Sequence, residues 1–229
     1  MFAEQAAPPH WVIWTSAAAA LVVVTFGLFW FIARNVITIA HEGGHALVAL
    51  ISGRKLGGIR LHSDTSGLTV SSGKPTGPGM VFTGLAGYIA PSLLGLGCVG
   101  LLNTGRITVL LWACITLLLG MLIFIRNLYG VFSVVATGLI FGGLIYFGTD
   151  TAQGGFAYFA TWFLLLGGVR PVIELQRKRH WGEAHDSDAD QLARLTRVPG
   201  LLWVLLFAAV CIGCLGVGLG TLLPSAGDR

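Results

Sequence analysis

The fold class this sequence predicts is an all-α, polytopic membrane protein, and three observations carry that reading. The 229 residues are 55% apolar and only 10% charged, against about 25% charged in a soluble domain, and mean hydropathy is +0.80. Several apolar runs approach or exceed the roughly 20 residues that a helix needs to cross the hydrocarbon core. The runs are continuous, unlike the alternating residues of a membrane β-barrel. No charge-rich or Pro/Ser-rich linker divides the chain, so residues 1–229 are expected to form a single integral domain.

Seven apolar segments follow in order: Trp11–Ala33, Asn35–Ser52, Gly79–Leu102, Ile107–Ile125, Leu128–Gly148, Thr151–Val169 and Pro199–Leu223. The second and sixth are short and contain glycine, so the expectation is a bundle of about six to seven spans. Met1–His10 has no Lys or Arg, and the run after it is too long for a signal peptide. That run is expected to remain as a first helix.

Two longer polar connections carry most of the positive charge. Gly53–Pro78 contains Arg54, Lys55, Arg60 and Lys74; Arg170–Val198 contains Arg177, Lys178, Arg179, Arg194 and Arg197. Threading seven spans puts both on one face, which the positive-inside rule makes cytoplasmic. The N-terminus is then expected inside and the C-terminus outside. Within the first connection, Ile59–His62 and Gly67–Ser71 flank the turn-forming run Ser63–Ser66, the pattern of a β-hairpin. The second begins with a helix-like stretch, Val172–Trp181, followed by an acidic cluster, Asp186, Asp188 and Asp190. Net charge is only +4, and no nucleic-acid partner is expected. Cys211 and Cys214 form a CxxC but have no second pair, so the four cysteines read as small apolar helix residues.

The chemistry concentrates in His41-Glu42-Gly43-Gly44-His45, a HExxH signature inside the apolar stretch Val36–Ile51. In an α-helix, residues i and i+4 are about 6 Å apart along the axis and about 40° apart around it. His41 and His45 therefore share a face and can hold one ion. Glu42 lies about 100° from His41, better placed to take a proton from a metal-activated water than to bind the metal. That is the two-histidine zinc arrangement with the glutamate as general base. Ionisable residues within a span are costly, which makes them functional candidates.

A catalytic zinc needs a third protein ligand and an open position. His10, His62, His180 and His185 fall outside the spans and read as solvated. The acidic cluster is the better source, because the C-terminal end of the HEGGH helix emerges on the same face. By position alone Asp186, Asp188 and Asp190 are all candidates.

Five segments together resemble the site-2 protease class of intramembrane zinc metalloproteases, and more closely its compact bacterial B-type branch. They are His41–Leu47, Leu61–Gly67, Ala86–Ser92, Ile125–Asn127 and Ser187–Asp190, spanning most of the chain. The resemblance implies His41 and His45 as zinc ligands, Glu42 as base, and Asp188 as third ligand, with Asp186 and Asp190 as alternatives. The Leu-Asp-Gly motif of better-studied members does not occur. Asn127 is an expected amide donor to a tetrahedral oxyanion. The function expected is a zinc metalloendopeptidase cutting a membrane-embedded protein substrate within the lipid bilayer of a bacterial plasma membrane. Such a substrate must unwind before attack, and the hairpin edge around Leu68 and Val70 is expected to hold it as an added strand. The competing reading is a non-catalytic metal-binding scaffold or transporter component. A transporter should carry polar residues on several spans, and here they gather on one.

Overall fold

The computed structural model describes residues 4–184 and 186–223. Among these are eight helices and one two-stranded sheet: α1 (His10–Thr25), α2 (Gly27–Ile51), β1 (Lys55–Leu61), β2 (Gly67–Ser72), α3 (Pro78–Asn103), α4 (Ile107–Leu122), α5 (Leu128–Phe147), α6 (Asp150–His180), α7 (Asp188–Thr196) and α8 (Gly200–Leu222). The all-helical membrane class is correct. Helices α3, α5, α6 and α8 are long and apolar enough to cross a bilayer, and α1 with α2 makes a fifth span if the bent pair counts as one.

That count is lower than the sequence suggested, for two reasons. The run Trp11–Ala33 is not one helix. The backbone turns extended at Phe26 (φ −80°, ψ 123°), and α1 and α2 meet at a bend of 100°. Helix α6 holds both sides of the bend. Arg170 donates to the Val24 carbonyl, which the break leaves without a helical partner, and its guanidinium lies 4.7 Å over the Trp30 ring. Glu174 accepts from Trp30 Nε1 at 3.0 Å, from Arg170 at 3.0 Å, and pairs with Arg34 at 3.4 Å. In addition, α4 has 16 residues, about 24 Å of helix against a hydrocarbon core of about 30 Å.

One further expectation needs correction. The connection expected to begin at Arg170 begins eleven residues later, because α6 continues through Pro171 to His180. The described N-terminal segment packs beside the α3–α4 turn and the start of α6. Gln5 donates from its amide to the Gly105 carbonyl and accepts from Thr108 at the α3–α4 turn, and Pro8 packs against Gly154 near the start of α6. Helix α8 starts beside Arg179 and by Gly218 lies against Trp162 and Val99, so it runs antiparallel to α6.

The main core is built from α1, α2, α3, α4, α6 and α8, with Trp30, Leu110, Leu111, Trp162 and Leu165 among its buried side chains. Small residues let the helices approach. A Cβ on Gly44 would strike Ala90 and come within 3.0 Å of the Ala86 carbonyl, which brings the HEGGH helix against α3.

The hairpin forms where its turn chemistry places it. Strands β1 and β2 pair antiparallel, with Ile59 opposite Thr69, Leu61 opposite Gly67, and an irregularity between Leu56 and Gly58. Asp64 closes the turn by accepting from the Ser66 amide at 2.9 Å and hydroxyl at 2.7 Å, and those bonds hold its pKa below the usual carboxylate value. The segment after α4 runs beside β1: Ile59 donates to Phe124 O at 2.8 Å, and Arg126 donates to Ile59 O at 2.9 Å.

Candidate metal centre

Helical spacing brings His41 and His45 together, with their Nε2 atoms 3.1 Å apart. Asp188 Oδ2 lies 3.3 Å from the first and 3.2 Å from the second. The three atoms form a nearly equilateral triangle. Ligand atoms about 2.05 Å from a tetrahedral ion sit about 3.3 Å from one another, so the triangle matches one face of that geometry. Asp188 Oδ2 is buried and has no hydrogen-bond partner, which is costly unless a cation balances it. The set of two imidazoles and one carboxylate suits a zinc-like ion, and the residues present fit it.

Neighbouring groups fix the orientation. His45 Nδ1 is 2.7 Å from the Thr83 carbonyl. A carbonyl only accepts, so Nδ1 carries the proton and Nε2 turns its lone pair into the triangle. Tyr88 meets His41 edge-on with ring centroids 4.9 Å apart, and stacks on Phe207 at 5.0 Å. Gly87 forms the floor: a Cβ there would strike His45 Nε2 and lie 2.6 Å from His41 Nε2.

Asp188 is delivered by α7, whose buried Ala189 and Leu192 anchor it. Leu192 packs against Gly84 of α3. Ser187 caps the helix by accepting from the Asp190 amide and donating to Asp190 Oδ2 at 2.6 Å. The other two acidic residues face elsewhere. Asp190 is bonded to Arg179, and Asp186 is 95% exposed beside Arg194. Burial works against the Asp190 carboxylate, but its bonds to Ser187 and Arg179 keep its pKa below the ordinary value. Of the remaining histidines, His10 opens α1, His62 faces Ser66 in the hairpin turn, and His180 ends α6; His185 is outside the described residues. Among the described residues, His41, His45 and Asp188 are the one group placed to hold a metal. All four cysteines are free.

Glu42 is buried at 4% exposure, and the hairpin covers it. The Thr69 hydroxyl is 2.6 Å from Glu42 Oε2, and a Cβ on Gly67 would lie 2.5 Å from Glu42 Oε1 and Cγ. A second latch joins the Thr38 hydroxyl to the Thr65 carbonyl at 2.8 Å. Asn127 sits at the far edge of the hairpin with its amide spanning one residue: Nδ2 donates to Leu61 O at 2.6 Å, and Oδ1 accepts from Leu61 N at 3.2 Å.

These bonds fix which way each strand residue faces. The backbone groups of Ile59 and Leu61 turn to Phe124, Arg126 and Asn127, away from β2. Their partners Thr69 and Gly67 therefore turn their N–H and C=O groups to the other edge of the hairpin. Leu68 and Val70 point their backbone groups inward to β1 and expose about half of their side-chain surface (51% and 50%). The open edge is thus built from Gly67 and Thr69. Sequence reasoning did not single out Thr69, Gly67, Thr83 or Gly87 for the site. The available cues were the alternation of β2 and the four-residue spacing of Thr83 and Gly87 on α3.

The bundle of apolar helices sets the two HExxH histidines against an aspartate, with the glutamate beside them, a group placed to hold a metal inside a membrane protein. The chain belongs to the Peptidase M50B-like family, whose model matches residues 14–218, the family of the site-2 proteases. No curated protein sequence and no solved structure matches it.

Proposed function

We propose that this protein is an intramembrane zinc endopeptidase that hydrolyses a peptide bond in a membrane-embedded protein substrate. The observation that carries the reading is the convergence of His41, His45 and Asp188, with an orphaned carboxylate oxygen, beside a buried glutamate. Bound there, zinc supplies a Lewis acid that acidifies water and polarises a peptide carbonyl. His41, His45 and Asp188 would hold the ion, and the Thr83 carbonyl keeps the Nδ1 of His45 occupied so that Nε2 can face it. Glu42 accepts the proton of the attacking water and returns it to the leaving amine. The apolar walls exclude bulk water.

A transmembrane helix hides its peptide bonds, so the cleaved segment must be extended. The Gly67–Thr69 edge offers paired N–H and C=O groups next to Glu42, which supports strand addition there. Asn127 supports this by clamping Leu61 from the opposite side of the hairpin. The positive-inside rule supports placing the basic connections on the cytoplasmic side of a bacterial plasma membrane.

The test is cleavage and metal content measured together, on protein co-reconstituted with a panel of single-span membrane proteins. Wild type should cleave at least one and carry one zinc; Glu42→Gln should keep the zinc and lose cleavage. Cleavage undiminished in Glu42→Gln would remove the reading.

A further inference from the structure

We infer that Thr69 is a positioning residue for the reaction, acting through Glu42 and linking the base to the occupied strand edge. The inference rests on the zinc-peptidase reading and adds to it a division of labour between the two glutamate oxygens. The Thr69 hydroxyl has one hydrogen and two acceptors in range: Glu42 Oε2 at 2.6 Å and the Glu42 carbonyl at 3.2 Å. The contact to Oε2 is shorter by 0.6 Å and has the length of a good O–H···O bond, so the hydrogen goes to Oε2. That carbonyl also belongs to a helix, where its ordinary partner is a backbone N–H four residues on. Oε2 is thereby held, and Oε1, beside Gly67, is the oxygen left for the water.

Thr69 is also the residue whose N–H and C=O face the open edge of β2. Its side chain and its peptide groups thus serve the base and the bound strand at once, through one rigid pleat. Gly67, two residues earlier on the same face, leaves the space Glu42 needs. No other hydroxyl in the described structure reaches the Glu42 carboxylate. A substrate strand seated on Thr69 therefore meets a base already aimed at the scissile peptide, and a strand seated out of register does not.

The test uses the full chain in detergent, loaded with Co²⁺, and acetohydroxamate as probe, because the hydroxamate gives its proton to the base while its oxygens bind the metal. The d–d spectrum reports metal binding and the titration gives the dissociation constant. Thr69→Val, of similar shape but without the hydroxyl, should keep the cobalt spectrum and weaken the probe about 10- to 100-fold. Thr69→Ser should recover most of that loss. On any substrate that wild type cleaves, Thr69→Val should lower kcat far more than it raises KM. Hydroxamate binding by Thr69→Val equal to wild type overturns the inference, as does a Thr69→Ser variant as weak as Thr69→Val. If wild type takes up cobalt without a four- or five-coordinate spectrum, the metal-site reading itself falls, and Thr69 with it.

Discussion

Gly87→Ala is the substitution whose effect can be worked most directly from the geometry. The added methyl carbon would lie 2.6 Å from His41 Nε2, against roughly 3.4 Å for ordinary contact. The ring must therefore withdraw about 0.8 Å, while metal–ligand distances tolerate only about 0.2 Å. Little can yield. His45 is tied to the Thr83 carbonyl at 2.7 Å, Gly44 already touches Ala86 and Ala90, and Tyr88 is stacked between His41 and Phe207. Because both histidines are displaced, metal affinity should fall at least about 10- to 100-fold, the range seen when support of a ligand is lost, or roughly 1.4 to 2.7 kcal/mol. Competition against a chelator of known zinc affinity measures this. Thermal unfolding of the metal-free protein should move little, since Ala favours a helix by about 1 kcal/mol over Gly. Gly87→Ala with wild-type zinc affinity would refute the assigned cradle.

The acidic cluster gives a separable outcome: Asp188→Ala should lose the metal, whereas Asp186→Ala and Asp190→Ala should retain it, read as zinc per protein after desalting. Glu174→Ala should destabilise the fold by about 1–3 kcal/mol, a range discounted for partial exposure, and Glu174→Gln by less; chemical denaturation in detergent tests the order. Thr69→Pro removes an N–H that faces the open edge and should impair cleavage with zinc retained, while Leu68→Pro removes one that faces β1 and should also loosen the hairpin by hydrogen exchange. For Asp64, whose folded pKa is lowered by Ser66, the contribution to the turn is present above its unfolded pKa of about 3.9. It is lost as pH falls through the lowered folded value. NMR titration should show that pKa rising in Ser66→Ala.

Much of the site was legible because its chemistry is local. The spacing of His41 and His45 specifies a shared helix face, and Ser63–Ser66 between two β-prone runs specifies a hairpin. The acidic cluster pointed to the third ligand, but three carboxylates within five residues look alike in sequence. Capping decides among them: Ser187 takes Asp190 into the helix start and leaves Asp188 facing inward. The break at Phe26 was hidden because Trp11–Ala33 carries no charge, and the Thr25 and Gly27 that flank it are both tolerated within a membrane helix. Its cause lies 144 residues away in Arg170 and Glu174, where a run of charge read as the start of a loop. The strand edge depends on register, which the turn chemistry of Ser63–Ser66 does not specify: Leu68 and Val70 turn their backbone groups to β1, and the pairing beside Phe124–Asn127 turns those of Gly67 and Thr69 outward.

The central claim is that His41, His45 and Asp188 jointly ligate one zinc ion. X-ray absorption at the zinc edge of the purified, metal-loaded protein tests it most directly. The account predicts two imidazole nitrogens and oxygen ligands at about 2.0–2.2 Å with no sulfur, and loss of the bound ion in Asp188→Ala. A zinc–sulfur shell near 2.3 Å, or an unchanged spectrum in Asp188→Ala, would contradict it.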